Sequence, residues 1–248
     1  MDTPTPALEH LEEFQNTIAN YKLSGHAKNV LSQSKLVVML GVTGGGRNTL
    51  INYLTTTGPY YFIVSDTTRP PKVRDGKLEA HGTHYFFRTE TDFLKDLRSG
   101  EFIEAEVIHS QQVSGTSIRE LQKANEQGLI GIHDFDIGGA ANIYRLKPDA
   151  YIVSLLPPNF LEWQRRLSGR EHMHGQEFKN RMQTAVRILQ DMLDKPYFKF
   201  LVSDDVHNSS LALRQLVEEG HYTNEQHQKG LTIAKELLTS TKEMLASF

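Results

Sequence analysis

The chain has 248 residues, 23% of them charged, with a net charge of −3. That length suffices for one large domain with appendages, and without a basic excess no nucleic-acid surface is expected. With no cysteine in the chain, disulfides, thiol catalysis and cysteine-ligated zinc are excluded.

The elements follow in order. Thr5 and Pro6 read as an N-cap and first-turn pair. Leu8, Leu11, Phe14, Ile18 and Tyr21 recur at helical spacing, so an amphipathic helix is predicted over Thr5 to Tyr21. Lys35 to Gly41 reads as a buried strand, and NTLINYLTTT as the helix after a glycine-rich loop. YYFIVSDTTRPP is a strand running into a proline-rich turn. From there to Ser117 short strands and loops dominate, with one helix in TETDFLKDLRSG. IRELQKANEQG is a helix stopped by Gly128. LIGIHDFD is a strand ending in acids, GGAANIYRLK a short helix, and DAYIVSLL a buried strand ended by Pro157 and Pro158. NFLEWQRRLSGR and QEFKNRMQTAVRILQDML are helices around a polar loop. FKFLVSDD is a last strand, and SSLALRQLVEEG a helix. Leu231, Leu237, Leu238 and Leu245 mark a further amphipathic helix. Strands alternating with helices predict an α/β fold with a mainly parallel sheet. Apolar runs such as KLVVML and AYIVSLL are too short to span a bilayer. MDTPTPALEHLEEF is acidic and lacks the apolar core of a signal segment. No membrane partner and a cytoplasmic location are therefore expected.

Gly41 and Gly46 have the spacing of the phosphate-loop pattern G-x-x-x-x-G-K-[ST], between a strand and a helix. Backbone N–H groups of such a loop point inward at phosphate oxygens, helped by the helix N-terminus. Two positions depart from the pattern, where Arg47 and Asn48 replace Lys and Ser or Thr. By itself the stretch reads equally as a glycine-rich turn. Asp134 and Asp136, at a strand end, have a second reading as mere caps of the next helix. His172 and His174 lack a third ligand and read as solvated.

Downstream stand SDTTRPPK (65–72), EAHGTHYFF (79–87), GEFIEAEV (100–107), SGTS (114–117), DFDIGG (134–139), LLPPNFLEWQRRLSGR and LVSDD. In this order and spacing the chain resembles guanylate kinase, from about Leu36 to Gly220. The resemblance implies a P-loop kinase core with a parallel sheet flanked by helices, a small mixed β lobe for the nucleoside monophosphate at about 66–117, and a helical lid at about 164–182. The kinase-like domain then spans 35–220, with helical extensions at 1–34 and 221–248. It implies ATP-dependent phosphorylation of GMP or dGMP with Mg2+, by a monomer or homodimer. Ser65, Arg69, Lys72 and Tyr85 fall at the places that hold the GMP phosphate, and Glu104, Thr116 and Asp136 at those that read guanine. Gly41, Thr43, Gly44, Gly45, Gly46, Arg47, Asn48 and Thr49 fall on the ATP side. Arg47, Arg69, Arg166, Arg170 and Arg181 supply catalytic charge, and Asn48 and Asp134 face the metal.

Chemistry supports this assignment. Guanine offers N1–H and N2–H2 donors beside the O6 acceptor, which a carboxylate and a hydroxyl complement. A planar guanidinium at position 47 is no direct substitute for an ammonium, while the amide oxygen of Asn48 is still a hard ligand. Lys72 stands where a second Arg is usual, with Arg74 in a lengthened turn nearby. Ser114 replaces a phosphate-binding Tyr, and Ser203 an Asn that meets adenine. Slow transfer is the expectation. Two other readings are a catalytically silent binding module of this family and a kinase of altered substrate. The two terminal helices are expected to bury their apolar stripes within the chain, by packing on each other and on one flank of the core.

Overall fold

In the computed structural model, residues 7–74, 76–169 and 175–247 are described. The elements begin with α1 (Leu11–Ala19), α2 (Gly25–Gln33), β1 (Leu36–Leu40), α3 (Arg47–Thr57), β2 (Tyr60–Phe62), β3 (Asp66–Thr67), β4 (Val73–Arg74), β5 (Lys77–Leu78), β6 (Phe86–Phe87) and α4 (Glu90–Arg98). They continue with β7 (Phe102–Ile108), β8 (Gln112–Ser117), α5 (Ile118–Glu126), β9 (Ile130–Asp134), α6 (Ile137–Leu146) and β10 (Tyr151–Leu156). The last are α7 (Phe160–Ser168), α8 (Gly175–Asp194), β11 (Lys199–Val202), α9 (Val206–Glu218) and α10 (Asn224–Ala246). The fold is α/β, and the chain forms two compact units. One comprises the residues up to Lys35 with Tyr61–Gly131, the other Leu36–Tyr60 with Ile132 onward.

The first unit is built on a four-stranded mixed sheet of order β6-β3-β8-β7. β3 pairs parallel with β6 and antiparallel with β8, and β8 pairs antiparallel with β7. Asp66 of β3 is fully buried, and its carboxylate accepts from Arg88 at 2.9 Å and from Arg119 at 3.2 Å, which offsets the cost of burying it. β4 and β5 form a small antiparallel hairpin within the lengthened turn.

α1 lies against α4 and β7. Phe14 meets the edge of Phe93 at 6.0 Å, and Phe93 stacks on Phe102 at 4.4 Å. Leu8, Leu94, Leu97 and Val113 complete this core. The helix starts at Leu11, later than the expected Thr5. The carboxylate of Glu90 accepts from the backbone N–H groups of Glu9 (3.1 Å) and His10 (2.9 Å), so donors at the helix entry are satisfied by a distant acid. Thr5 and Pro6 lie outside the described residues. α2 was not expected. Ser24 caps it by accepting from Ala27 N–H at 2.9 Å, and Ala27, Val30 and Leu31 face inward toward α5.

The second unit carries the five-stranded sheet of order β11-β10-β1-β9-β2, in which β1, β10 and β11 run parallel. The chain passes between units just before β1 and within β2 and β9. β1 is buried at all five positions, as its unbroken apolar run requires. α3 packs with α9, and α6 on β1. α10 packs on α8, β11 and α7, burying Ile233, Ala234, Leu237 and Leu238. Each of the three large side chains contributes roughly 1.5–3 kcal/mol before entropy. Each terminal extension thus docks inside its own unit. No helix among the described residues is long and apolar enough to cross a membrane.

Candidate functional site

The site residues fall into two groups, one per unit. In the first unit Arg69 is buried, and its guanidinium meets Glu79 through two parallel bonds of 2.5 and 3.0 Å. Such a fork is the strongest arrangement for this pair. The same Glu79 oxygen accepts Lys72 backbone N–H at 3.0 Å, which ties Lys72 beside Arg69. The Arg69 guanidinium also lies 4.8 Å over the ring of Tyr85. Arg69 and Tyr85 are therefore one cationic and phenolic cluster, and the backbone of Lys72 is tied to the same acid that organises it. The signal for Glu79 was present, since a buried Arg at a turn requires a counter-charge. Ser65 stands one residue before β3, and its carbonyl accepts from Phe86 N–H at 2.9 Å.

On β7 and β8, Glu104 pairs in register with Thr116, and the Thr116 hydroxyl donates to the Glu104 carboxylate at 2.9 Å. The register slips between Phe102 and Glu104, the mark of a bulge. Bulges re-aim side chains beside functional sites. Ser114 turns its hydroxyl to Thr67 at 2.9 Å, leaving the role of a phosphate-binding phenol unfilled at this position.

In the second unit the loop from Gly41 to Gly46 joins β1 to α3. Gly46 is the N-cap of α3 with φ of 95°, a conformation that favours glycine. The loop is tightened by Gly45 N–H donating to Val42 O at 2.9 Å. The aliphatic stem of Arg47 crosses Gly41, its carbons 3.5 Å from where a Cβ there would stand. Asn48 and Thr49 are exposed at the first turn of α3. The Thr43 carbonyl accepts from the indole of Trp163 at 2.7 Å, which anchors α7 to the loop.

Arg166 is fixed at the loop's rim. It donates to the Ser203 hydroxyl at 2.6 Å and carbonyl at 2.7 Å, while Ser203 donates to Gly45 O at 2.7 Å. Glu162 holds Arg165 and Arg166 together, and these two cations keep its carboxyl down at about 2. A cavity of about 260 Å³ opens here, lined by Gly44, Gly46, Thr49, Arg166, Ser203 and Asp205 among others. Arg181 sits one turn from Glu177 on α8 and pairs with it at 2.7 Å. Arg170, with His172 and His174, lies outside the described residues. Asp134 ends β9. Asp136 caps α6, accepting from Gly139 N–H at 2.7 Å, so the capping role read from the sequence is realised. Among the described residues no group of three or more His, Asp or Glu could hold a metal alone. Mg2+ asks for less, since it keeps waters and takes one or two protein oxygens beside substrate phosphates. The amide oxygen of Asn48 and the carboxylate of Asp134 are oxygen donors of the kind such a site takes.

The family model described as guanylate kinase matches residues 33–220. The chain is 32% identical over 185 residues to a guanylate kinase of Sulfurimonas denitrificans, covering 74% of this chain and 86% of that protein. It is likewise 32% identical over 186 residues to one of Corynebacterium efficiens, covering 74% and 94%. A solved guanylate kinase of Anaplasma phagocytophilum shares the fold with a TM-score of 0.54 at 19% identity, covering 77% of this chain and 88% of that one.

Proposed function

The chain belongs to the guanylate kinase family, and on that premise we propose that it transfers the γ-phosphoryl group of ATP to GMP or dGMP, and does so slowly because its phosphate loop carries Arg47 and Asn48. The observation that carries the acceptor is the Glu104–Thr116 pair, a carboxylate and a hydroxyl 2.9 Å apart on adjacent strands. Guanine matches it: its two N–H donors replace Thr116 on the carboxylate, which frees the single hydroxyl proton to turn to O6. Adenine offers no such pair of donors to the acid and no O6 to the hydroxyl, and a mismatch of this kind can reach about 10⁴ in discrimination. Asp136 is assigned to the guanine amino group, alongside its capping role.

The phosphate of GMP falls to Arg69, Tyr85, Lys72 and Ser65. Glu79 holds the Arg69 guanidinium in place before any ligand arrives, so little ordering entropy is lost on binding. Phosphoryl transfer needs positioning and positive charge more than a covalent nucleophile. The loop N–H groups cradle the donor phosphates, and Arg47, Arg166, Arg170 and Arg181 neutralise charge that develops on the transferred group. Asn48 and Asp134 are assigned to hold Mg2+, which when bound would supply charge neutralisation to the phosphates. The guanidinium of Arg47 keeps the charge but spreads it over a plane, which weakens a contact shaped for an ammonium.

A coupled assay offering each nucleoside monophosphate with ATP, and then with GTP, tests the reading. GMP and dGMP should turn over while AMP, CMP and UMP do not. Turnover of a different acceptor would establish the kinase of altered substrate. Tight GMP binding with no turnover would establish the silent binding module.

A further inference from the structure

One tyrosine in each extension closes the outer edge of a sheet in the same way. Tyr21 follows α1, and its hydroxyl donates to Phe102 O at 2.6 Å and accepts from Phe102 N–H at 2.7 Å. Tyr222 precedes α10, and its hydroxyl accepts from Phe200 N–H at 2.8 Å and donates to Phe200 O at 3.3 Å. Phe102 is on β7 and Phe200 on β11, the edge strands of the two sheets. A strand edge exposes unpaired N–H and C=O groups. A single phenol satisfies both groups of one residue in each case. Both tyrosines lie outside residues 33–220, the part that matches the family.

The two pinned residues are placed where they matter for ligands. Phe102 is the first residue of the bulge whose far side is Glu104. Fixing its N–H and C=O fixes the bulge, and the bulge sets the direction of the acid that meets Thr116. Glu101, next to it, accepts from the Ser24 hydroxyl at 2.7 Å and is paired with His26 at 3.0 Å, so the strap from α1 to α2 grips the same strand start twice. Phe200 stands three residues before Ser203, whose hydroxyl joins Arg166 to the loop carbonyl of Gly45. α10 presses on that same strand. A Cβ on Gly230 would stand 2.1 Å from the Cβ of Phe200, so only glycine lets the helix approach this closely.

We propose that Tyr21 and Tyr222 are positioning residues for the two substrates: Tyr21 holds the bulge that aims Glu104 at GMP, and Tyr222 holds the strand that leads into Ser203, and through Ser203 the guanidinium of Arg166 on α7, at the donor nucleotide. The proposal rests on the guanylate kinase reading given above. Burial pushes the Tyr21 hydroxyl up to about 12 and the Tyr222 hydroxyl upward as well, so both remain protonated and able to donate across the working pH range. Neither tyrosine touches a substrate in this account. Their effect passes through backbone geometry, where an error of about 1 Å far from the chemistry costs up to about 10²-fold.

The test uses the full chain with Tyr21→Phe and Tyr222→Phe, each losing one oxygen. KM for GMP at saturating ATP, KM for ATP at saturating GMP, kcat and melting temperature are measured. Tyr21→Phe should raise the GMP constant about tenfold and leave the ATP constant within about twofold. Tyr222→Phe should do the reverse. A purely structural role would lower the melting temperature and the active fraction, and so kcat, with both constants unchanged. That result overturns the proposal, as does an equal rise in both constants. Hydrogen exchange on the unaltered protein gives an arm that depends on no variant. GMP should slow exchange at the Phe102 amide and not at Phe200, and a non-hydrolysable ATP analogue the opposite. A ligand that leaves its own strand unchanged also overturns it. If the unaltered protein shows no preference for GMP over AMP, the guanylate kinase reading fails and the proposal falls with it. A clear GMP preference with unsplit constants sinks the proposal alone.

Discussion

The strand pair that carries Glu104 and Thr116 and the loop that carries Arg47 and Asn48 depart to different degrees from the pattern the chain resembles. The strand pair keeps its acid and hydroxyl facing each other at 2.9 Å. The loop has exchanged two side chains and yet keeps its turn, with Gly46 in the left-handed region and Gly45 bonded to Val42. The difference follows from what each region uses. Base reading rests on side-chain donors and acceptors, where one wrong group leaves a buried partner unpaired. A phosphate loop rests first on backbone N–H groups, which survive a change of side chain. On the proposed reading, substitution in the first region should remove selectivity, and in the second it should moderate rate.

The comparison can be broken most sharply at Glu104. Glu104→Gln turns one accepting oxygen into a donor, and the preference for GMP over AMP should fall roughly 10³-fold in kcat/KM. A variant that keeps its preference would remove base reading from this strand pair. At the loop, Arg47→Lys with Asn48→Ser should raise kcat on the order of 10²-fold, the value of one well-placed charge contact. An unchanged kcat would mean that the backbone there is not shaped for phosphate.

Glu79→Gln tests how the acceptor side is organised. It leaves the buried guanidinium of Arg69 without its counter-charge, and stability to urea should drop by about 3 kcal/mol. Saturating GMP should restore part of that loss, because its phosphate supplies the missing negative charge. Equal losses with and without GMP would separate Arg69 from the phosphate.

The smallest effect concerns pH. Burial, and then the charge of Lys199, hold His227 below its ordinary value of 6.5. The folded chain thus binds this proton less readily than the unfolded chain. The contribution to stability is complete above 6.5 and is lost as pH falls below it. Melting temperature should decline on acidification through this range more in the parent than in His227→Gln. Parallel declines would discount the histidine.

Much of this architecture was legible in the sequence. The run Leu36–Leu40, buried throughout, and the strong periodicities of α4, α5, α7 and α8 carry their own local signals. Helix starts were less so. α1 begins at Leu11 because Glu90, far along the chain, satisfies the N–H groups before it. α2 is short and only weakly apolar, and its Ser24 cap gives a signal only beside Ala27, Val30 and Leu31. At the site, the residues assigned to ligands come from motif order, whereas their supports carry no such signal. Glu79 under Arg69, Ser203 under Arg166 and the two tyrosines act through contacts between distant segments, and no local spacing announces them.

If Glu104 and Thr116 read guanine, calorimetric titration of the unaltered protein with GMP and with AMP, without a phosphoryl donor, separates the two nucleotides. GMP should bind at least about 10²-fold more tightly than AMP, since only guanine pairs both groups. Equal affinity for the two nucleotides would contradict the account.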